Sequence, residues 1–351
     1  MRLKGTRPTR KKLALAICFV GLSMASCGPS DFSPETLINS VRVMASKASE
    51  PYASPGDKVD LEVLAYDGRP EKAEPMKIYW LPFTCENPVN DAYYGCFASI
   101  ASGGALAGDG GVAGDAGAAP PSGGGLTSLQ PGTDISAFLP TGPRYSVAIP
   151  ADAISAHPVV QGATAPYGLV IVFNMACAGH VQLLARDSQN PQQVPLGCFD
   201  TEGNQLTPDD YVFGYTRVYA YAPDGGVSNA NPVLTDVRVG NQVIDSQQGF
   251  TVPKGTTVDI DTDVPLSDWE VTPDKQSNGD ILHETIYAQY FVTIGKVDDQ
   301  VRILYDSVQG KVSPSNTKFE APADPQEGFI WIIIHDNRDG ATWVQIPIHV
   351  Q

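Results

Sequence analysis

The stretch that decides the fold class runs from Val41-Arg42-Val43-Met44-Ala45 through the turn Pro55-Gly56-Asp57 to Val59-Asp60-Leu61-Glu62-Val63-Leu64-Ala65. In the runs Val41 to Ala45 and Val59 to Ala65 apolar and polar residues alternate, which is typical of a strand with one face in a core. The Pro-Gly pair between them suits a reversal of the chain. The stretch therefore predicts two successive strands of a β-sheet.

Comparable runs recur to the end of the chain. They are short, rich in β-branched and aromatic residues, and bounded by Gly, Pro, Asn and Asp. Further strands are predicted at residues 76–80, 145–149, 167–173, 212–221, 258–260, 285–293, 301–305, 329–334 and 342–350. The 34 glycines and 29 prolines favour many turns and few helices. We predict an all-β protein, with residues 336–340 as a hairpin loop in which Gly340 is left-handed.

A weak internal repeat predicts two comparable domains. Val41-Arg42-Val43 and the following Pro-Gly turn return as Val237-Arg238-Val239 and Pro253-Lys254-Gly255, each followed by a second strand. The segment at 101–125 breaks the strand pattern, because 17 of its 25 residues are Gly or Ala. It has no face to bury and is predicted to be disordered. We interpret it as a loop inside the first domain; an interdomain linker is the alternative.

The first 26 residues have the order of a secretory signal peptide. Six basic residues and no acidic one precede the apolar run 13–22, which is too short to span a bilayer. Residues 22–28, Leu-Ser-Met-Ala-Ser-Cys-Gly, resemble a bacterial lipobox, with Met24 in place of the usual leucine. The resemblance implies cleavage before Cys27, lipidation of Cys27, and a tether at 27–34. A plain signal peptide is the alternative.

The acidity of the chain excludes one class of partner. Removal of the signal peptide leaves 17 of the 23 basic residues against 39 acidic ones, a formal charge of −22. Such a chain repels nucleic acid, so we expect no nucleic-acid partner. The lipid is the expected membrane attachment, and the expected location is the bacterial cell envelope, at the outer membrane on its periplasmic or surface side.

Four cysteines remain beside Cys18 of the signal and Cys27. An even number in an exported chain indicates disulfides, and four cysteines allow three pairings. The local pairing Cys85–Cys96 and Cys177–Cys198 is favoured, because each pair brackets a turn-rich segment. A four-cysteine metal site lacks any C-x-x-C spacing and is the weaker alternative.

A resemblance to bacterial Ig-like and PKD-like surface domains appears in Val41-Arg42-Val43, the turn Ser54-Pro55-Gly56-Asp57, the strand Val59 to Ala65 and Ile78-Tyr79-Trp80. Trp80 stands at the position of a core aromatic residue of that group. The closing hairpin around 336–340 resembles the end of such domains. Residues 196–232 resemble a feature of large, poorly characterised Gram-negative surface lipoproteins. The resemblance implies two Ig-like β-sandwiches, at 35–228 and 229–351, and it implies no shared enzymatic activity.

One group of acidic residues has the pattern of a cation site. Asp259, Asp261 and Asp263 alternate along a predicted strand, so their carboxylates share a face. Packed like charges repel unless a cation lies among them, and calcium favours six to eight oxygen ligands. These aspartates are the candidate calcium ligands; a solvated acidic face is the alternative. No cofactor is expected.

The sequence favours a binding or structural module over an enzyme. It contains no nucleophile elbow, Walker loop or dinucleotide fingerprint. His283-Glu284 begins like a zinc-protease motif, but the second histidine is missing. The expected partner is a protein or a polysaccharide. The alternative is a hydrolase, or a hydrolase accessory subunit, acting on envelope polymers. It requires two carboxylates ~5–10 Å apart in a cleft, and Asp209-Asp210 and Asp298-Asp299 are its candidates.

Overall fold

The computed structural model describes residues 34–101, 130–159, 163, 165–185, 193–275 and 279–351. Residues 35–351 form one compact unit. The predicted signal peptide, Cys27, nearly all of the tether and residues 102–125 of the Gly/Ala-rich segment lie outside the described residues.

The first half of this unit is a β-sandwich. Its strands are β1 (Val41–Ala48), β2 (Tyr52–Ala53), β3 (Lys58–Asp67), β4 (Lys77–Glu86), β5 (Arg144–Ala148), β6 (Tyr167–Cys177), β7 (His180–Leu183), β8 (Leu196–Phe199) and β9 (Tyr211–Tyr221), and its helices are α1 (Tyr93–Ala101) and α2 (Ala153–Ala156). A three-stranded sheet, β1-β3-β5, faces a four-stranded sheet, β2-β9-β6-β4. Trp80 lies in the core between them and stacks on Tyr145 at 5.2 Å, as the resemblance implies.

A third layer covers the outer face of the four-stranded sheet. It contains α1, the segment around Ile135 and Leu139, and the β7–β8 hairpin. Strand β6 is consequently buried on both faces, and only Tyr167 at its start is partly exposed. Its nearly continuous apolar sequence is typical of a strand covered on both sides, so the third layer follows from the sequence of β6.

The second half is a larger β-sandwich. Its strands are β10 (Asp236–Val239), β11 (Gln242–Val243), β12 (Phe250–Val252), β13 (Thr257–Asp263), β14 (Val271–Lys275), β15 (Ile281–His283), β16 (Ile286–Val292), β17 (Lys296–Val297), β18 (Val301–Asp306), β19 (Gly310–Lys311), β20 (Thr317–Glu320), β21 (Gln326–His335) and β22 (Ala341–Val350). A five-stranded sheet, β11-β10-β13-β20-β17, faces a six-stranded sheet, β12-β22-β21-β16-β18-β19. The prediction of an all-β chain with two Ig-like β-sandwiches is confirmed.

The internal repeat corresponds to one topology used twice. In the first sandwich β1 pairs with β3, whereas the short β2 between them crosses over and pairs parallel with the last strand, β9. In the second, β10 pairs with β13, and the short β12 pairs parallel with the last strand, β22. The Pro/Gly turns of the repeat thus lie where the chain returns to its first sheet.

The two sandwiches meet through an apolar junction. Its buried residues are Ile38, Met44, Ala45, Phe291, Trp331 and Ile333. Tyr66 of the first sandwich packs on Trp331 of the second, with ring centroids 4.7 Å apart. The chain also crosses this junction before β1: the Ile38 amide donates to the Val292 carbonyl, and the Val292 amide donates to the Thr36 carbonyl, both at 2.8 Å. These contacts hold the sandwiches together.

The hairpin loop at 336–340 is present, but one detail of its prediction is wrong. The left-handed residue is Asp339, with φ of 71°, and Gly340 has no positive φ. Gly340 is required for another reason: a Cβ there would collide with the Asp336 carboxylate. Neither α1 nor α2, the helices of the described ranges, is long and apolar enough to cross a membrane.

Candidate functional site

Four tyrosines from three neighbouring strands meet on the outer face of the first sandwich. The parallel register of β2 and β9 sets Tyr52 beside Tyr219, and the antiparallel register of β6 and β9 sets Tyr167 beside Tyr221. Neighbouring strands lie ~4.8 Å apart, so side chains on one face must touch. Ring centroids are 5.7 Å apart for Tyr52–Tyr219 and 4.9 Å for Tyr52–Tyr221. We name these four residues the tyrosine platform.

Alternation along β9 decides which face the platform occupies. Val218 and Ala220 point inward and are fully buried in the sandwich core, so Tyr219 and Tyr221 point outward, where they are partly exposed. Within the described residues, no group accepts a hydrogen bond from the hydroxyl of Tyr52 or Tyr219. Burial raises the pKa of Tyr219 to about 12, so its hydroxyl stays protonated and can donate a hydrogen bond.

A carboxylate is fixed at one edge of the platform. Asp91 accepts a hydrogen bond from the Tyr167 hydroxyl and lies 2.9 Å from Nε2 of His157, whose ring packs on Tyr167 at 4.5 Å. The loop that carries Asp91 is strained, since Asn87, Asn90 and Asp91 all have positive φ, between 47° and 58°. Such backbone costs of order 1 kcal/mol or more per residue and persists only where surrounding contacts impose it.

The disulfides match the favoured pairing. Cys85–Cys96 and Cys177–Cys198 have Cα–Cα distances of 5.7 and 5.8 Å. The first closes the loop that carries Asp91, and the second joins the end of β6 to β8 of the third layer. Disulfides are typical of chains that mature outside the reducing cytoplasm.

Aromatic residues extend the platform along β9. The next outward positions are Arg217 and Tyr215, and the guanidinium of Arg217 lies over the Tyr215 ring, 5.0 Å from its centroid. Tyr93 of α1 stacks on Tyr215 at 4.8 Å, and Tyr94 lies beside Tyr93 with 44% of its surface exposed. From Tyr215 to Tyr221 the row is ~20 Å long, at ~3.3 Å per residue.

An ion cluster with a buried centre, Arg338 with Glu284 and Asp336, adjoins the platform from the second sandwich. We name it the Arg338 cluster: Arg338, Glu270, Glu284, Asp336 and Asp339. The Arg338 guanidinium lies 2.6 Å from Glu284, 2.7 Å from Glu270 and 5.6 Å from the centre of the Tyr52 ring. Asp339 lies 3.9 Å from Arg217. The cluster therefore joins the hairpin loop of the second sandwich to the platform of the first.

The Arg338 cluster holds more acid than base. The Arg338 guanidinium binds Glu270 and Glu284, the Arg338 backbone amide donates to Asp336, and Arg217 pairs with Asp339. Burial raises the pKa of Glu284 to about 7, with Asp336 and Glu270 acting in the same direction against Arg338. Burial also raises the pKa of Asp336 and of Asp339. Arg338 supplies the counter-charge of Glu284 and Asp336, and Arg217 supplies that of Asp339.

The carboxylates of the Arg338 cluster and two of the predicted hydrolase candidates are engaged in ion pairs or hydrogen bonds. Glu270 and Glu284 both bind the same nitrogen of Arg338, and Glu284 is only 1% exposed, so a substrate has no access to it. Of the adjacent aspartates, Asp210 binds Arg69 at 2.9 Å. Asp298 accepts hydrogen bonds from the hydroxyl of Thr317 and an adjacent backbone amide. Asp210 and Asp298 thus stabilise the fold through these contacts.

The candidate calcium ligands share one face of β13, as expected, because the intervening Ile260 and Thr262 are buried. Arg238 lies on the neighbouring strand within 3.6 Å of Asp261 and 3.4 Å of Asp263. Lys311 binds Asp263 at 3.0 Å, and Asn316 donates to Asp259 at 2.9 Å. In the described ranges no three His, Cys, Asp or Glu side chains are arranged to hold a metal ion. Basic residues supply the neutralisation that calcium would provide, and the calcium site stays a prediction.

Sequence reasoning missed both the platform and the Arg338 cluster. One signal for the platform was present, since tyrosines occupy positions 215, 219 and 221 of the strand predicted at 212–221 and thus share a face. Nothing in the sequence indicates that Tyr52 joins them, because β2 has only two residues. The Arg338 cluster was missed because the loop at 336–340 is rich in charged residues, and such a loop is expected to be exposed to solvent.

Comparisons with known proteins give no family. No family model matches the chain, and no curated protein matches it. A nucleoside hydrolase-related hypothetical protein from Saccharophagus degradans, associated with carbohydrate metabolism, is 14% identical over 35% of this chain and 26% of its own, with a TM-score of 0.23. The Ig1-2 module of the Drosophila receptor protein tyrosine phosphatase DLAR is 10% identical over 89% of this chain and 100% of its own, with a TM-score of 0.21. The CbhA fibronectin(III)-like modules of Clostridium thermocellum are 12% identical over 89% of this chain and 94% of their own, with a TM-score of 0.21. At such TM-scores these similarities carry no argument, and the two sandwiches are established by the strand pairing of this chain itself.

Proposed function

We propose that this chain is an exported, lipid-anchored protein of the bacterial cell envelope that acts without catalysis, as a binding module, and that the tyrosine platform is its binding face. The observation that carries the proposal is the platform itself, four partly exposed tyrosines held in one register beside a fixed carboxylate. Aromatic rings with polar tips supply large contact area at low cost in conformational entropy. The position beside the junction of two domains is a common one for ligand sites.

The proposed anchor places the second sandwich near the membrane. Thr36, which pairs with Val292, follows Cys27 by only nine residues. A fully extended segment of this length reaches ~30 Å. A lipid on Cys27 would therefore hold the junction within that distance of the bilayer, and two or three acyl chains make such attachment firm.

Metabolic labelling with a palmitate analogue tests the anchor. Expressed in a Gram-negative host, the full-length chain should take up the label and fractionate with membranes. The Cys27→Ala variant should not be labelled, because the acceptor thiol is absent. A Cys27→Ala chain that still takes up label would refute the assignment to Cys27.

Site-specific photocrosslinking in intact envelopes tests the binding face. A photoreactive residue at Tyr94, exposed at the edge of the extended row, should form an adduct with an envelope component. The adduct should be lost when Tyr219 and Tyr221 are changed to alanine. Val308, 58% exposed on the second sandwich, is the matched control position and should give no such adduct. Equal adducts at the two positions would contradict the proposal.

A further inference from the structure

We propose that the ligand of the tyrosine platform is an uncharged oligosaccharide that lies along β9, stacks its sugar rings on Tyr219 and Tyr221, and binds Asp91 through its hydroxyl groups. This inference rests on the proposed function and names the class of ligand. It follows from the ring faces, the polar groups at the edge, the balance of charge and the length of the surface.

The aromatic rings of the platform match the apolar faces of sugar rings. Sugars have faces of C–H groups and edges of hydroxyl groups, so a site for them needs apolar planes flanked by hydrogen-bonding groups. The platform offers such planes, and its members are all tyrosines, each with a hydroxyl at its tip. Tyr167 and Tyr221 lie 6.0 Å apart and Tyr219 and Tyr221 lie 6.5 Å apart, so the rings form one continuous surface.

The polar groups lie at the edge of this surface. Asp91 has two oxygens, already oriented by His157 and Tyr167, and an ionised carboxylate has about four acceptor positions. It can therefore accept further hydrogen bonds from sugar hydroxyls. On the other side of the platform, Arg217 and Asp339 lie 3.9 Å apart and are both partly exposed. Arg217 offers hydrogen-bond donors there, and Asp339 offers acceptors.

The balance of charge selects an uncharged ligand. Arg217 is opposed by Asp339, and Arg338 is opposed by Glu270 and Glu284. No unopposed cation among the described residues of the platform and the Arg338 cluster is left to bind a phosphate or a uronic acid. The mature chain, at −22, repels polyanions as a whole.

The length of the surface suits a chain of sugars. The row from Tyr215 to Tyr221 is ~20 Å long, enough for several sugar rings in line. Its outward positions on β9 carry tyrosine and arginine and no aliphatic side chain. Tyrosine and arginine are also the side chains enriched at the centres of protein interfaces, so a protein is the competing ligand, and the chemical nature of the Tyr94 adduct decides between the two.

Affinity electrophoresis of the full-length chain in non-ionic detergent tests this inference. Native gels would contain a neutral β-glucan, a neutral α-glucan, a neutral xylan or, for comparison, polygalacturonate. We expect at least one neutral polymer to slow migration and polygalacturonate to have no effect. Tyr219→Ala and Tyr221→Ala should each weaken binding roughly tenfold or more, the loss of about 1.4 kcal/mol of contact. Asp91→Asn should weaken it less, and Tyr219→Phe should retain most of it.

Controls separate folding from binding. Tyr211→Ala changes a tyrosine on the same strand beyond the proposed row and should bind like the wild type, and the melting temperature of each variant reports its folding. The inference is overturned if no neutral polymer retards the chain, if polygalacturonate retards it more, or if the Tyr94 adduct proves to be a protein. In each of those cases a platform-dependent adduct still supports the proposed function; absence of any adduct removes both.

Discussion

Replacing Arg338 by methionine should lower the free energy of unfolding by about 3–5 kcal/mol, the usual loss when one member of a buried ion pair is removed. Methionine keeps the aliphatic length, but the guanidinium is lost. Glu284 and Asp336, 1% and 3% exposed, then remain buried without their counter-charge. Glu270 loses its 2.7 Å contact, and the Ser228 carbonyl loses a hydrogen-bond donor. Domains are stable by only ~5–15 kcal/mol. Urea unfolding followed by tryptophan fluorescence should therefore show the unfolding midpoint shifted to a much lower urea concentration.

The pH dependence of this loss identifies its cause. The pKa of Glu284 is about 7 in the folded chain against an ordinary value of 4.5. A folded state that holds its proton more tightly than the unfolded state loses stability as pH rises from 4.5 through 7. Without Arg338 that pKa rises further, so the variant should be most destabilised at pH 8 and least at pH 5.

A matched arginine provides the control. Arg217 is partly exposed and only 3.9 Å from Asp339, so Arg217→Met should cost about 1 kcal/mol or less. If Arg338→Met is no more destabilising than Arg217→Met, or if its loss of stability is the same at pH 5 and pH 8, buried charge pairing at Arg338 is not what stabilises this part of the fold.

The sequence allows the fold class to be predicted because strand signals are local. The alternation at Val59 to Ala65 and the Pro-Gly turn before it are visible without knowledge of any partner strand, and β3 lies at Lys58–Asp67. The repeat at Val237 likewise indicates a second sandwich. Helix α1 was missed, since Tyr93–Ala101 is short and leads into Gly/Ala-rich sequence.

The site could be predicted only in part, because it depends on registers and burial that are not local. Tyr219 and Tyr221 share a face by their spacing, but Tyr52 joins them only through a parallel pairing with a strand 167 residues later. Arg338 lies in a hairpin loop of charged residues, which predicts solvation. It is buried because Ser228 and Tyr52 pack around it. Contacts between the two sandwiches therefore bury Arg338 and Asp336, although they belong to a loop of charged residues.

The burial of Arg338 links stability to the proposed binding face. Its guanidinium lies over Tyr52, and Tyr52 packs against both Tyr219 and Tyr221, with ring centroids 5.7 and 4.9 Å apart. Arg338 is thus a positioning residue for the platform rather than a contact for the ligand. If the platform binds a ligand as proposed, the second sandwich contributes to that binding by holding Tyr52 in place.

Replacing Cys177 and Cys198 together by alanine should lower the free energy of unfolding by about 3 kcal/mol, the value that chain entropy predicts for a loop of this size. The cysteines are 21 residues apart in sequence and fully buried. Their bond fastens the β7–β8 hairpin over β6, so its loss also loosens the layer that covers Leu169, Ile171 and Phe173. Urea unfolding of the oxidised full-length chain and of the double variant measures the difference.

The other disulfide should have a different effect, which makes the pair of variants informative. Cys85 and Cys96 close a shorter loop, 11 residues apart, so the same model predicts a slightly smaller loss of stability. That loop, however, holds Asp91 in its left-handed conformation and leads to Tyr93. The Cys85→Ala, Cys96→Ala double variant should therefore lose ligand binding at temperatures where it is still folded, whereas the Cys177→Ala, Cys198→Ala variant should keep binding until it unfolds. If both variants lose binding only on unfolding, the Asp91 loop has no special part in recognition, and the platform must bind its ligand through the tyrosines of β9 alone.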